Sequence, residues 1–144
     1  MTVSGYEVSC DPDKLDFAVI CGFIASSYWA QGIPEAVMRK AIANSLCFGV
    51  YTAAGQQVGF ARIISDRATF AYLADVFISP EHRGLGLSKW LVQTIVAHPE
   101  LQGLRRMMLA TRDAHGLYAQ FGFNTVENPQ SLMQIWQPDV YRLK

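Results

Sequence analysis

The chain has 144 residues, of which 51% are hydrophobic and 17% charged, which excludes a disordered protein and fits one domain spanning residues 1–144. Its 12 basic and 12 acidic side chains cancel, so no long-range field of one sign is present to attract nucleic acid or an anionic membrane. We therefore expect neither nucleic acid nor a membrane as a partner.

The first predicted elements are a strand and two helices. A short strand is expected at residues 5–9. A helix is expected to begin after Asp11, because Asp is a favourable N-cap and Pro12 suits the first helical position. Residues 26–33 interrupt the helical pattern, and a second helix is expected over 34–44.

From residue 46 the apolar residues recur with a period of two, which is typical of β-strands. Residues 46–52 and 57–64 are expected to form a hairpin, since a short Gly-containing turn joins them. A third long strand is expected over 69–78. A strongly amphipathic helix should follow over 86–98, where Pro99 ends it.

The last third of the chain predicts a strand at 106–111, a short helix at 114–121 and two final strands at 123–126 and 132–136. The strand–loop–helix–strand unit between residues 70 and 111 is a crossover, and crossovers pair their strands in parallel. The fold class is therefore expected to be α/β (α+β), with a mixed, mostly antiparallel sheet of six to seven strands and helices on both faces.

The loop between the third long strand and the amphipathic helix has the sequence ISPEHRGLGLS, residues 78–88. A helix start offers free backbone N–H groups and positive potential. Gly84 and Gly86 let the backbone come close to a phosphate, and Arg83 adds a charge. The loop lacks the spacing of a Walker A motif and the third glycine of a dinucleotide fingerprint. On these residues alone, a pyrophosphate site and a plain tight turn both remain open.

Two motifs add a resemblance to a known family. Ile78-Ser-Pro80 followed by Arg83-x-x-Gly86-x-Ser88 resembles the acetyl-CoA-binding motif Q/R-x-x-G-x-G/A of the GNAT superfamily of N-acetyltransferases. Ser88 stands where Gly or Ala is usual. Residues 111–123, TRDAHGLYAQFGF, are similar to the family's N-x-N/D-A-x-x-L-Y-x-x-x-G-F signature. The two motifs have the family's order and spacing, and the resemblance covers most of the chain.

The resemblance implies an N-acetyltransferase that moves the acetyl group of acetyl-CoA directly to a primary amine of a small molecule. The loop's backbone N–H groups would bind the pyrophosphate, and a splayed strand would pair with the pantetheine arm and the acetyl carbonyl. The residues implied in cofactor binding are Val76, Phe77, Ile78, Arg83, Gly84, Leu85, Gly86, Leu87, Ser88, Lys89, Thr111 and Tyr118.

Two residues are candidates for catalytic proton transfer. Tyr118 matches the family's general acid, which protonates the departing thiolate; a thiol of pKa about 8.5 needs only modest help. Asp75 lies in the strand that carries the base in several relatives. The interpretation of Asp75 as a structural hydrogen-bond acceptor remains equally open. In that case water would relay the proton of the amine.

The family places the acceptor near the segment 26–34. Tyr28 and Trp29 are therefore candidates for a wall that favours a hydrophobic or aromatic amine, although both could simply pack on the core. His115 is a further candidate for substrate contact. Two other functions remain open: a catalytically weak CoA-binding module, and an acetyltransferase acting on protein or peptide amines. Dimers are common in the family, so a homodimer is a further expectation.

The remaining composition points to an ordinary intracellular protein. Cys10, Cys21 and Cys47 are odd in number and share no CxxC spacing, as expected of reduced thiols in the cytoplasm. No uninterrupted apolar stretch reaches the roughly 20 residues of a membrane span. No His, Cys or acidic residues have metal-ligand spacing, so we expect no metal.

Overall fold

A computed structural model describes residues 1–142 of the chain. The strands are β1 (Tyr6–Ser9), β2 (Leu46–Thr52), β3 (Gln57–Ser65), β4 (Phe70–Ile78) and β5 (Arg106–Leu109). The α-helices are α1 (Phe17–Ala25), α2 (Glu35–Ala43), α3 (Leu87–Val96) and α4 (His115–Ala119). None of the helices within residues 1–142 is both long enough and apolar enough to cross a lipid bilayer.

The five strands form one sheet in the order β1-β2-β3-β4-β5. The first three pairings are antiparallel, and β4 pairs with β5 in parallel. The predicted mixed α/β fold and the crossover between β4 and β5 are confirmed. The predicted count of six to seven strands is wrong, because residues 123–126 and 132–136 form no strand. Their backbones pair with no sheet edge, and a strand exists only where a neighbour completes its ladder.

The first helix begins later than predicted. After Asp11, residues Pro12–Lys14 make a single 3-10 turn, and α1 starts only at Phe17. Asp16 is the N-cap of α1, because its Oδ1 accepts a hydrogen bond from the backbone N–H of Val19 at 3.3 Å. The Asp16 N–H donates in turn to Oε1 of Gln57 at 2.7 Å. A contact from β3 therefore fixes where this helix begins.

Helices cover both faces of the sheet, as predicted. On one face the core joins β2, β3 and β4 to α3 and α4, through residues such as Leu91, Ile95 and Tyr118. On the other face a second core packs α1 and α2 against Phe60 and Phe77. Burial of these side chains on both faces is the main favourable contribution to the folded state.

A β-bulge in β4 changes which face its side chains point to. Before the bulge Ala71 and Leu73 belong to the α3 and α4 core, and after it Val76 and Ile78 do. The register against β3 shifts by one residue over the same stretch. Asp75 lies at the bulge with a φ of 57°, a left-handed conformation that Asp tolerates better than most residues. Because of this one extra residue, the side chains that face the α3 and α4 core come from odd-numbered positions before the bulge and from even-numbered positions after it.

Candidate active site

The loop from Ser79 to Gly86 joins β4 to α3 in a fixed conformation. Pro80–His82 form a 3-10 turn, and Nε of Arg83 donates a 2.9 Å hydrogen bond to the carbonyl of Ile78. Gly84 and Gly86 have φ values of 81° and 87°, where any other residue is strained. No side chain lies within 4 Å of the position of an added Cβ at either glycine, so the backbone there is open to a ligand.

The start of α3 offers unpaired donors next to this loop. Gly86 is the N-cap residue and has no side chain to cap the helix. The first helical hydrogen bond runs from the N–H of Trp90 to the carbonyl of Gly86 at 3.1 Å. Within residues 1–142 no acceptor is found for the N–H groups of Leu87, Ser88 and Lys89. Such a helix start favours an anion through its N–H groups and its dipole.

The second half of β4 is open on one side. Pairing between β4 and β5 covers only Phe70 to Leu73 against Arg106 to Leu109. Beyond Leu73, Phe77 and Ile78 pair with β3 on one side, and residues 76–78 pair with no described strand on the other. The side chain of Phe77 is occupied in the core, where its ring stacks on Phe23 with 4.0 Å between centroids. On its open side, this half of β4 therefore offers backbone groups, and not side chains, for contact with a ligand.

A cavity of about 530 Å³, here called the glycine-loop cavity, lies between this open strand and the loop. Nine of the predicted cofactor-binding residues line it: Val76, Phe77, Ile78, Arg83, Gly84, Gly86, Leu87, Ser88 and Tyr118. Leu85 and Lys89 belong to the same loop and helix start but are not among its lining residues. Thr111 lines a cavity that adjoins this one, and its Oγ1 accepts a 3.0 Å hydrogen bond from the N–H of Ala114 just before α4.

A second cavity of about 720 Å³ adjoins the first. We call it the aromatic cavity, after Tyr28, Trp29, Tyr72 and Tyr141 in its wall. Six residues line both cavities and so mark the passage between them: Tyr28, Trp29, Val76, Asp113, Ala114 and Tyr118. His115, predicted as a substrate contact, is exposed and lines neither of the two.

Tyr118 is the candidate acid, and its position between the cavities suits a proton transfer there. Its side chain is 8% exposed, and its ring meets Phe123 edge-on with 5.8 Å between centroids. Burial, with a smaller contribution from Tyr28, raises the pKa of the Tyr118 phenol above its usual value. Burial disfavours the phenolate, so Tyr118 keeps its proton and can act as a donor.

Asp75 is buried and already engaged by two neighbours. Its Oδ1 accepts a 2.8 Å hydrogen bond from Nε1 of Trp29, and its Oδ2 accepts one of 2.8 Å from Nε of Arg62. Nη1 of Arg62 also donates to Oγ of Ser45 at 3.2 Å. The carboxylate thus joins the loop after α1 to β3 and β4, which is the structural role that the sequence left open for it.

Tyr28 and Trp29 are held in place through different contacts. The two rings meet edge-on with 5.0 Å between centroids. The guanidinium of Arg112 lies 3.9 Å from the Tyr28 ring centroid, a cation–π contact. Both aromatic side chains remain substantially exposed, at 53% and 42%, so they form cavity wall and are not part of the core.

The sequence motifs missed three residues of these cavities. His82 lines the glycine-loop cavity and is oriented by Tyr6, whose hydroxyl lies 2.7 Å from Nδ1 of His82. Arg62 and Arg112 line the aromatic cavity. These residues reach the site through contacts between elements distant in sequence, and a local motif cannot predict such contacts. Within residues 1–142 no group of three His, Cys, Asp or Glu side chains is arranged to hold a metal ion.

The family model described as the acetyltransferase (GNAT) family matches residues 43–123. This range runs from the end of α2 to Phe123 and so includes the open strand, the glycine loop and Tyr118.

Individual relatives point the same way. A presumed acetyltransferase of Gibberella zeae is 35% identical over 141 residues, covering 83% of this chain and 78% of its own. The crystal structure of a presumed GNAT acetyltransferase from Xanthomonas campestris pv. campestris is 52% identical, with a TM-score of 0.93 over 97% of this chain and 99% of that one. A presumed acetyltransferase of Clostridium acetobutylicum, whose structure was determined with acetyl-CoA, is similar in fold with a TM-score of 0.64 at 14% identity, over 90% and 94% of the two chains.

Proposed function

Because the chain belongs to the GNAT acetyltransferase family, and is therefore an acyltransferase, we propose that it transfers the acetyl group of acetyl-CoA directly to a primary amine of a small molecule. We propose further that the whole chain acts as one catalytic domain. One observation carries the proposal: the open half of β4, the glycine loop and Tyr118 border a single cavity that adjoins a second, aromatic one.

The residues of the glycine-loop cavity fit acetyl-CoA. The free N–H groups at the start of α3 and the open backbone at Gly84 and Gly86 suit a pyrophosphate. The unpaired backbone of 76–78 suits an extended arm that carries amide groups, because such an arm can continue the sheet's hydrogen bonding. When bound, acetyl-CoA supplies the activated thioester. The chain's own groups bind it, orient it and handle the protons.

Tyr118 is proposed as the general acid. It lines both cavities, so its phenol lies at the passage where a donor in one would meet an acceptor in the other. The raised pKa of Tyr118 keeps the phenol protonated at neutral pH, and the proton can pass to a leaving thiolate. Because a thiol is already a moderate acid, this help is worth a modest factor in rate.

Asp75 is proposed as a positioning residue, with water taking the proton of the amine. Each of its oxygens already accepts a hydrogen bond from a fixed neighbour, Trp29 on one and Arg62 on the other. The ion pair with Arg62 is buried, and both side chains are at most 15% exposed. Both oxygens of the carboxylate are thus engaged in holding Trp29 and Arg62 in place, which is a positioning role.

The aromatic cavity is the proposed acceptor site. Its aromatic wall favours an amine with an apolar or aromatic body, through packing and cation–π contact. Arg62 and Asp75 neutralise each other, so the lining of the aromatic cavity has no cluster of free carboxylates that would bind a polycationic amine. A cavity of about 720 Å³ is in the usual range for small-molecule sites, which favours a small molecule over a peptide chain.

The proposal is tested first by calorimetric titration with acetyl-CoA and with CoA. Both are expected to bind at micromolar concentrations. The absence of any binding below millimolar concentration would contradict the proposal. A panel of apolar, aromatic, acidic, polyamine and peptide acceptors, followed by thiol release, then tests the acceptor class. The fastest release is expected with aromatic amines.

A catalytically weak CoA-binding module gives a different result in the same two measurements. Such a module binds CoA but releases no thiol above the rate of hydrolysis with any amine in the panel. An acetyltransferase for protein or peptide amines would release thiol with peptides only. The two titrations and the panel therefore separate the three functions.

A further inference from the structure

Four charged side chains line the aromatic cavity: Arg62, Asp75, Arg112 and Asp113. Arg62 and Asp75 form a 2.8 Å ion pair and so neutralise each other. Neither Arg112 nor Asp113 forms an ion pair within residues 1–142, with each other or with another residue. The cavity wall therefore keeps one unpaired cation and one unpaired anion, a charge pattern that complements a zwitterion.

The guanidinium of Arg112 is held in place without the use of its N–H donors. Its Cζ lies over the Tyr28 ring, 3.9 Å from the centroid, where a guanidinium stacks on the ring and keeps the N–H groups of its plane open. Within residues 1–142 the Arg112 side chain donates no hydrogen bond, unlike five other arginines: Arg62, Arg67, Arg83, Arg106 and Arg142. Arg112 thus offers a fixed pair of donors to a carboxylate, which binds a guanidinium through both oxygens.

The two unpaired charges have different places relative to the proposed acetyl donor. Arg112 lines the aromatic cavity alone, whereas Asp113 lines both cavities and lies at the passage together with Tyr118. An acceptor bound by both residues would have its carboxylate inside the aromatic cavity and its amino group at the passage. Because the two residues are consecutive, with Cα atoms about 3.8 Å apart, the carboxylate and the amino group must be close together on the acceptor. An α-amino acid carries both on one carbon.

The remaining lining of the aromatic cavity indicates the rest of the acceptor. Trp29, Tyr72 and Tyr141 supply aromatic surface, which packs well with an aromatic or large apolar side chain. A phosphate fits the anionic end less well, because a phosphate monoester carries about −1.5 to −2 charges and would meet one unpaired cation and the repulsion of Asp113. A carboxylate carries a single charge, which Arg112 alone neutralises.

Taking the proposed function as the premise, we propose that the acceptor is a free α-amino acid with an aromatic or large apolar side chain, whose carboxylate binds Arg112 and whose amino group Asp113 directs to the passage. In the reaction the amine nitrogen forms an amide bond to the acetyl carbon, and the carbon–sulfur bond of the thioester breaks. The ammonium form of the acceptor loses two protons. One balances the proton that Tyr118 gives to the thiolate of CoA, and the other is released to water.

The product differs from the acceptor in its charge. Acetylation turns the ammonium group into a neutral amide, so the attraction to Asp113 is lost while the carboxylate still binds Arg112. The N-acetylated product should therefore bind more weakly than the amino acid, which favours its release.

The test is a calorimetric titration of the intact chain, saturated with CoA, with L-phenylalanine and with L-phenylalaninamide. The two ligands share the aromatic ring and the amino group, and only the first carries a carboxylate. The wild type is expected to bind phenylalanine at least roughly tenfold more tightly than the amide. Arg112→Gln is expected to remove this difference by weakening the binding of phenylalanine alone. Arg112→Lys keeps the charge but not the paired donors, and an intermediate affinity is expected.

Arg39→Gln is the matched control. Arg39 also lies over an aromatic ring, with its Cζ 3.7 Å from the centroid of Phe17, but it lines neither the aromatic nor the glycine-loop cavity. This variant should keep the wild-type preference for phenylalanine. Asp113→Asn should weaken the binding of phenylalanine and of its amide by a similar factor, because both carry the amino group. The same variant should bind 3-phenylpropionate, which lacks that group, no more weakly than the wild type does.

Thiol release from acetyl-CoA separates the amino-acid acceptor from the proposed function. Release with phenethylamine at a kcat/KM equal to or above that with phenylalanine supports acetyl transfer to amines and overturns the amino-acid acceptor. Binding of phenylalanine through Arg112, with no thiol release from any amine, leaves an amino-acid binding site but overturns the proposed function and the acceptor role. Equal affinity of the wild type for phenylalanine and its amide, or a preference that survives Arg112→Gln, overturns the role of Arg112.

Discussion

The indole of Trp29 donates a 2.8 Å hydrogen bond to Oδ1 of Asp75. This contact joins the loop after α1 to the bulge of β4. The sequence predicts a different role for each of the two residues. Trp29 is a candidate for the acceptor wall and Asp75 a candidate base. Because the two residues are hydrogen-bonded, the Asp75 carboxylate holds Trp29 in the wall of the aromatic cavity. Changes at either residue should therefore affect the same step of the reaction.

Asp75→Asn tests the positioning role. Asn tolerates the positive φ at this position and still accepts a hydrogen bond from Trp29, but it loses the charge that pairs with Arg62. We expect KM for the amine to rise and kcat to fall less than about tenfold, with the acidic limb of the pH–rate profile unchanged. A catalytic base would instead lose roughly 10²–10⁴-fold in kcat together with that limb. Trp29→Phe removes the hydrogen bond that Asp75→Asn keeps, and it should raise KM for the amine similarly.

Tyr118→Phe tests the acid. The ring stays packed against Phe123 while the donated proton is lost. We expect kcat to fall roughly 10- to 100-fold, at the low end of acid–base effects because a thiol is a good leaving group. The affinity for CoA in a calorimetric titration should hardly change. Equal turnover in the variant and the wild type would show that Tyr118 is not the acid.

Gly86→Ala tests the glycine loop, with Gly55→Ala as its control. Both glycines have φ near 87° and open space around an added Cβ, so both variants carry the same backbone strain of about 1–2 kcal/mol. Only Gly86 borders the proposed pyrophosphate site. We expect Gly86→Ala to bind CoA at least roughly tenfold more weakly, and Gly55→Ala to bind it normally although both lose similar thermal stability. Equal CoA affinities would remove the loop from the binding site.

The stability of the fold should fall at alkaline pH. Burial raises the pKa of the Cys47 thiol from 9.0 to about 11. Burial, with smaller effects of Asp11 and Glu7, raises the pKa of the Tyr51 phenol from 10.0 to about 12. A raised pKa favours the folded state fully below the unfolded value, and this contribution is lost as the pH rises through the folded one. Unfolding should therefore become easier between about pH 9 and 12.

Tyr51→Phe separates the two groups. The Tyr51 hydroxyl is buried and has no hydrogen-bond partner within residues 1–142, so its removal should stabilise the protein at neutral pH by about 1 kcal/mol. The same variant should weaken the alkaline loss in chemical denaturation above pH 10, while Cys47→Ala should weaken it from pH 9 upward. A pH-independent stability in the wild type would contradict both expectations.

The glycine loop and the short helix with Tyr118 were predictable because their requirements are local. A strand end, two glycines and a helix start lie within ten residues, and Gly84 and Gly86 adopt the positive φ that only glycine takes easily. The β2–β3 hairpin and the start of α3 follow equally local rules of periodicity. Each of these features needs no partner from elsewhere in the chain.

Features that depend on distant partners were not predictable. The bulge at Asp75 has no glycine to mark it, and its conformation is held by Trp29 and Arg62. The first helix starts at Phe17 instead of after Asp11 because Gln57 binds the N–H of Asp16. The apolar pattern at 132–136 is that of a strand, but a strand forms only where a neighbour completes its ladder, and none of the described strands pairs with these residues.

The change of face along β4 has a practical consequence for altering the range of acceptors. Tyr72 and Ala74, before the bulge, line the aromatic cavity and not the glycine-loop cavity, whereas Phe77 and Ile78, after it, do the reverse. A mutant library confined to Tyr72 and Ala74 would vary the wall of the aromatic cavity while leaving residues 76–78, proposed to hold the donor, unaltered. Variants could then be selected for a new amine without losing the ability to use acetyl-CoA.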